Sequence, residues 1–320
     1  MLSRVANSIF WMSRYVERAE NVARFISVNL NLSMDVSSEG RQQWMPLVTT
    51  TGDVELFAER YDAPSKRNVL QFLTLDRGNP NSILSCLIAA RENARSIREI
   101  ISAEMWEHIN RFYLLVRDVG SVEAILDDMH DFFENVRFFG QHFMGVSDAT
   151  MTHGEGWHFS QLARFIERAD KTSRILDVKY YILLPSVNHV GSPFDELQWS
   201  ALLRSASAYE MYRQRFGRIA PADVVDFLLL EREFPRAVLH CLTRANDSLH
   251  AINGSDPSGF SNLPEQRLGQ LRAELAFTSA SDIIDRGLHE YVDALQRRLN
   301  LVGEAVSTTF FGELSGKVAS

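Results

Sequence analysis

An all-α fold, built as two tandem pseudo-equivalent helical bundle repeats packed as one body, is what this sequence predicts. Three observations carry the prediction: apolar residues recur at helical spacing along most of the chain, no segment alternates as a strand does, and the second half repeats the first. At 320 residues there is ample core for such a body.

Taken in order, the first segment is "FWMSRYVERAENVARFI" (Phe10–Ile26), which puts Trp11, Tyr15, Ala19, Val22 and Ile26 on one helical stripe. Met34–Arg41 and Asp62–Arg67 read as loops. Turn chemistry at Asn79-Pro80-Asn81 then opens the helical run "ILSCLIAARENARSIREII". In the second half, "SQLARFIERADKTSRIL" (Ser160–Leu176) repeats the first stripe through Phe165, Ala169, Thr172 and Leu176. Leu184–Asp195, with two prolines and a glycine, reads as a loop. "FPRAVLHCLTRANDSLHAI" repeats the helix after Pro80, and Asn253–Pro264 is a further loop.

The duplication is global. At an offset of 150, Arg14, Glu17, Arg18, Ala19 and Arg24 meet Arg164, Glu167, Arg168, Ala169 and Arg174. At an offset of 155, residues 68–97 align with 223–252 without a gap. Eleven of those thirty positions are identical, among them Pro80/Pro235 and Cys86/Cys241; chance gives about two. At an offset of 159, "MHDFFENV" (Met129–Val136) meets "LHEYVDAL" (Leu288–Leu295). The expected units are residues 1–148 and 149–320.

Composition narrows the function classes. With 33 basic against 41 acidic residues the net charge is −8, which argues against a nucleic-acid binder. Two cysteines, Cys86 and Cys241, are too few for a disulfide scaffold, and no zinc spacing or CxxC occurs. Arg14 and Glu17 come before a secretory apolar core can form, and no run of 18 apolar residues exists, so the expectation is a cytoplasmic protein that does not enter a membrane.

On a helix, Arg14, Glu17, Arg18 and Asn21 share a face with Arg24 at its margin, as do Arg164, Glu167, Arg168 and Lys171 with Arg174. Three readings follow. A solvated face with intrahelical pairs contributes only about 0.2–0.5 kcal/mol per pair, a weak reason for both copies to keep the pattern. A clamp between the halves would pair Glu17 with Arg168 and Glu167 with Arg18 about a pseudo-twofold axis. A binding site would use the glutamates to orient arginines toward a carboxylate or phosphate.

"WMSRYVERAENVAR" together with "GWHFSQLARFIERADKTSRILDVKY" resembles the alpha-E family, bacterial helical proteins with a repeated Glu-Arg motif. "AARENARSIREIISAEMWEHIN" (Ala89–Asn110) is similar to that family as well, so the resemblance covers essentially the whole chain. It implies an all-helical cytoplasmic protein. It also implies a gene neighbourhood holding a circularly permuted ATP-grasp ligase, a transglutaminase-like peptidase and in some genomes an Anbu-type proteasome relative, hence a role in making or processing amide bonds. The residues it carries over are Arg14, Glu17, Arg18, Arg24, Arg164, Glu167, Arg168 and Arg174; no catalytic residues come with it. Asn21 stands where the second copy has Lys171, so the two motifs are not identical.

Other constellations are weaker. "THGEGWHF" places Glu155 three residues before His158, a di-iron spacing, but the first copy has neither residue; no metal is expected, and Trp157 reads as a packing anchor at a helix entry. Cys86 and Cys241 lie in apolar runs and read as core. Trp44 and Trp199 read as duplicated core anchors. "SAYEMYRQRFG" (Ser207–Gly217) combines Tyr209, Tyr212, Arg213, Arg215 and Phe216, either an interface or a helix end packed on its neighbour.

The leading expectation is therefore a non-catalytic helical partner or scaffold of an ATP-grasp-type peptide or amide ligase, with no cofactor, in which the duplicated Arg/Glu helices are candidates to bind carboxylate or phosphate groups. The alternatives are an enzyme using Glu17 or Glu167 as acid-base, and a purely structural clamp. Isologous dimerisation is expected only as the base rate for helical proteins.

Overall fold

The computed structural model describes residues 1–35, 44–181 and 193–312. Among them every regular element is helical, in sixteen α-helices and two π-helical turns. The expected loops at 34–41 and 184–195 fall largely outside the described residues. Their described ends are helical, since α1 runs to Asp35 and α10 begins at Pro193. A proline suits a first turn, where its missing N–H has no helical partner to lose.

Two long helices form the centre. Helix α1 (Ser3–Asp35), 33 residues and about 50 Å long at 1.5 Å per residue, lies against α9 (Glu155–Tyr181). Their contact includes a buried hydroxyl pair, Ser13 Oγ to Ser160 Oγ at 2.8 Å. Around α1 pack α5 (Ile83–Ser96) and α8 (Met129–Thr150), with α6 (Ala103–Arg117) bridging those two. Around α9 pack α13 (Val238–Asn253) and α16 (Leu288–Val306), bridged by α14 (Leu263–Ala276). The second set thus follows the first in order and in neighbours.

Two short helices cross over. Helix α2 (Met45–Thr51) packs on α9, and α10 (Pro193–Ser205) packs on α1. The last carbonyls of a helix lack intrahelical donors, and here arginines of the central pair supply them. Arg24 Nη1 donates to Ser205 O at 2.9 Å, and Arg174 Nη1 donates to Thr50 O at 2.8 Å.

Several helix starts are set by short polar side chains. Ser82 accepts from Ser85 N at the start of α5, and Asn262 accepts from Glu265 N at the start of α14. Just before α5, Asn79 Oδ1 accepts from Asn81 N while its amide donates to Phe72 O, which fixes the turn carrying Asn81. Trp44, Trp199, Cys86 and Cys241 are buried, and the buried apolar side chains form one continuous cluster from Ala6 to Phe311. No helix among the described residues is long and apolar enough to cross a membrane.

Helices α1 and α8 approach most closely where Gly140 faces Glu20: a Cβ built on Gly140 would lie 2.8 Å from Glu20 Cβ. Gly140→Ala should therefore destabilise the protein by about 1–3 kcal/mol through overpacking. A urea midpoint unchanged from the parent would show that α8 can move away freely.

Candidate functional site

The two motif helices present their glutamates to one another. Glu17 is 2% exposed and Glu167 0%, so the solvated-face reading is wrong for both. An ionised carboxylate at such depth needs charged donors around it, and the donors come from the opposite helix. Arg168 of α9 grips Glu17 of α1 with two parallel bonds, Nε to Oε1 at 2.9 Å and Nη2 to Oε2 at 2.8 Å. Arg18 of α1 grips Glu167 of α9 in the same way, Nε to Oε1 at 2.7 Å and Nη2 to Oε2 at 3.3 Å. These are the cross pairs expected of a clamp.

Further cations complete each cluster. Glu167 Oε2 accepts from Arg14 Nε at 2.7 Å, and the Lys171 ammonium lies 3.5 Å from Oε1. Glu17 Oε1 accepts from Asn21 Nδ2 at 2.9 Å and from Arg236 Nη1 at 3.4 Å. Arg164, the counterpart of Arg14, turns instead to Gln161. Three residues beyond each glutamate stands a second buried acid. Glu20 accepts from Arg24 at 2.6 Å and from Arg236. Asp170 lies 2.7 Å from Lys171 and 3.0 Å from Arg174.

Burial by itself would raise the carboxyl pKa values, but the facing guanidinium charges and their hydrogen bonds win. Arg168, Arg236 and Asn21 hold Glu17 well below the usual carboxylate range. Arg18, Arg14 and Lys171 do the same for Glu167. Asp170 is brought down to about 2 by Arg174 and Lys171 against its own burial. The arginines divide. Arg18 and Arg168 are raised by their glutamates despite burial, whereas Arg236 and Arg164 are lowered to about 10, by burial first and by neighbouring arginines second.

All eight motif residues read from the sequence thus lie on the two central helices, and seven of them take part in the two clusters or in the helix-end contacts. Arg236, Asn81, Glu20 and Asp170 were not singled out. Glu20/Asp170 is visible as a conservative substitution inside the repeat. Asn81 and Arg236 sit at matched positions directly after Pro80 and Pro235, but they differ in type, so a search for identities passes over them.

The remaining candidates do not assemble into chemistry. Glu155 pairs with the Met1 amino group at 2.7 Å, and His153 stacks on Trp157 at 4.3 Å. Among the described residues no group of three or more His, Cys, Asp or Glu is placed to hold a metal ion. Burial pushes the Cys86 and Cys241 thiols up to about 12, far from the thiolate a nucleophile needs. In the Ser207–Gly217 segment Tyr212 is buried against Phe216 and Phe227, while Arg213 and Arg215 are exposed.

Two long helices, each carrying Glu-Arg, are thus paired through those residues. The chain belongs to the Alpha-E family, described as a predicted alpha-helical domain with a conserved ER motif, whose model matches residues 1–311. Among curated proteins it is similar to uncharacterized proteins of Mycobacterium bovis and Mycobacterium tuberculosis. The identity is 25% over 295 residues, covering 85% of this chain and 32% of theirs. The chain therefore spans about a third of the length of the curated relatives it matches. No solved structure matches it.

A pH dependence follows from the lowered glutamates. A carboxylate with a depressed folded pKa stabilises fully above its unfolded value, here 4.5, and loses that contribution as pH falls through the folded one. The stability deficit of Glu17→Gln/Glu167→Gln relative to the parent should be largest at pH 7 and shrink steadily from about pH 4.5 toward pH 2. Thermal melts across that range would show it; a deficit independent of pH would mean the two carboxylates are not ionised in the fold.

Proposed function

We propose that this chain is a non-catalytic helical scaffold in which duplicated Arg/Glu helices lock two tandem repeats, residues 1–148 and 149–320, into one rigid body. The observation that carries the reading is the pair of reciprocal Glu–Arg grips between α1 and α9. Replacing one partner of a buried pair leaves an uncompensated charge and costs about 3–5 kcal/mol. A surface ion pair contributes about 0–1 kcal/mol, too little to join two halves.

In this reading the motif is the frame and the partner binds elsewhere on the body. The partner we propose is a peptide- or amide-forming ligase of the circularly permuted ATP-grasp type, with a transglutaminase-like peptidase in the same bacterial, cytoplasmic system. Support comes from the gene neighbourhood that the alpha-E resemblance implies. It comes also from the relatives, in which the matching region is joined to a much longer polypeptide.

The enzyme reading is less well supported by the geometry. A general base should have a pKa near the working pH and reach its substrate. Glu17 and Glu167 are held far below that, buried, and committed to arginines on both oxygens.

Glu17→Gln/Glu167→Gln should lower the melting temperature by at least about 5 °C at pH 7, and the intact chain should capture the neighbouring ligase more strongly than the variant does. An unchanged melting temperature would remove the clamp. ATP-dependent amide formation by the purified chain alone, abolished by Glu167→Gln, would put the enzyme in the scaffold's place.

A further inference from the structure

Beside the repeated arginines, including Arg24 and Arg174, each motif cluster contains one further cation, and the two copies obtain it from different positions. At Glu17 it is Arg236, on the turn leading into α13. Its guanidinium bonds Glu20 and reaches Glu17 Oε1 and Asn21 Oδ1, both at 3.4 Å. At Glu167 it is Lys171, on α9 itself. Its ammonium lies 2.7 Å from Asp170 Oδ2 and 3.5 Å from Glu167 Oε1. In both cases the cation joins the motif glutamate to the acid three residues further along.

The positions are matched through the repeat. Residue 21 corresponds to 171 at the offset of 150, and residue 81 to 236 at the offset of 155. The first half has Asn21 and Asn81 at these positions, and the second has Lys171 and Arg236. The clusters mix them: the Glu17 cluster holds Asn21 with Arg236, and the Glu167 cluster holds Lys171 with Asn81. At these two positions each cluster so contains one cation and one asparagine, beside the arginines of the motif. Asn81 accepts from Arg18 Nη1 at 2.8 Å, and Asn21 donates to Glu17 Oε1 at 2.9 Å, so each asparagine puts a neutral side chain, hydrogen-bonded to a charged one, at the position without a cation.

We infer that positions 21/236 and 171/81 form one exchangeable unit, in which a single extra cation is required per cluster and either position can supply it. The physical ground is charge balance at low dielectric. With no extra cation the second acid, Glu20 or Asp170, loses a charged donor; with two, a like charge is buried beside arginines already present. Arg236 shows the second pressure, since Arg24 and Arg168 add to burial in lowering its pKa. The inference deepens the clamp reading and rests on it.

The test is the exchange itself, followed by thermal unfolding at pH 7. Arg236→Asn and Asn21→Lys should each lower the melting temperature by about 3–6 °C, the first through a missing cation and the second through a surplus one. The double variant, which moves the extra cation of the Glu17 cluster from position 236 to position 21, where the Glu167 cluster has Lys171, should return to within about 2 °C of the parent. Lys171→Asn with Asn81→Arg should behave in the same way at the other cluster. If Arg236→Asn yields no folded protein, recovery of soluble, cooperatively melting protein on adding Asn21→Lys is the supporting result. Double variants that melt as low as the summed singles, or no recovery at all, overturn the inference. A thermally silent Glu17→Gln would overturn the clamp reading, whereas a destabilising Glu17→Gln without rescue would overturn the exchange alone.

Discussion

Two carboxylates buried between two helices set the terms for this fold. Once Glu17 and Glu167 lie at the α1–α9 contact, they cannot remain ionised without cations, and the geometry of a packed helix pair puts the nearest arginines on the facing helix. The result is reciprocal. Each helix presents an acid to its neighbour and an arginine to the neighbour's acid, so a shift of either helix breaks two bidentate grips together. Apolar packing alone would tolerate small slides along the contact; forked Arg–carboxylate bonds fix register and orientation.

The same helices also hold the crossing elements in place. Arg24 and Arg174, nearly two turns beyond the grips, satisfy carbonyls at the ends of α10 and α2, each of which belongs by chain order to the other half. Those two arginines bond both a buried acid of their own helix and a backbone oxygen from the other half. Ion pairing, helix termination and the joining of halves are thus parts of one connected network. Its charges are placed for rigidity, since each glutamate is occupied on both oxygens and kept ionised across the physiological range. That arrangement is the ground for proposing a frame rather than a site of proton transfer.

Much of this was legible in the sequence. The helical class follows from period and from the absence of alternation. The correspondence of α1 with α9 and of α5 with α13 follows from the offsets, because duplicated segments that keep core residues such as Cys86/Cys241 and Leu87/Leu242 keep their packing as well. The motif residues could be named because charge repeated in both copies is expensive to retain by accident. Arg236 could not be named, because its role is visible only beside Glu20 and Asn21, and its counterpart Asn81 gives no hint of a charge.

What the sequence determined by itself is local: where helices run, which faces are apolar, and which residues form the repeated Arg/Glu pattern. These depend on spacing along one helix, which the chain states directly. Tertiary structure decided that the pattern faces inward, that α2 and α10 exchange sides, and that one extra cation reaches each cluster from a different position. Those facts depend on the approach of segments some 150 or more residues apart. Whether a Glu-Arg stripe is solvated or buried is settled by what packs over it, and a periodic sequence carries the stripe without naming its partner.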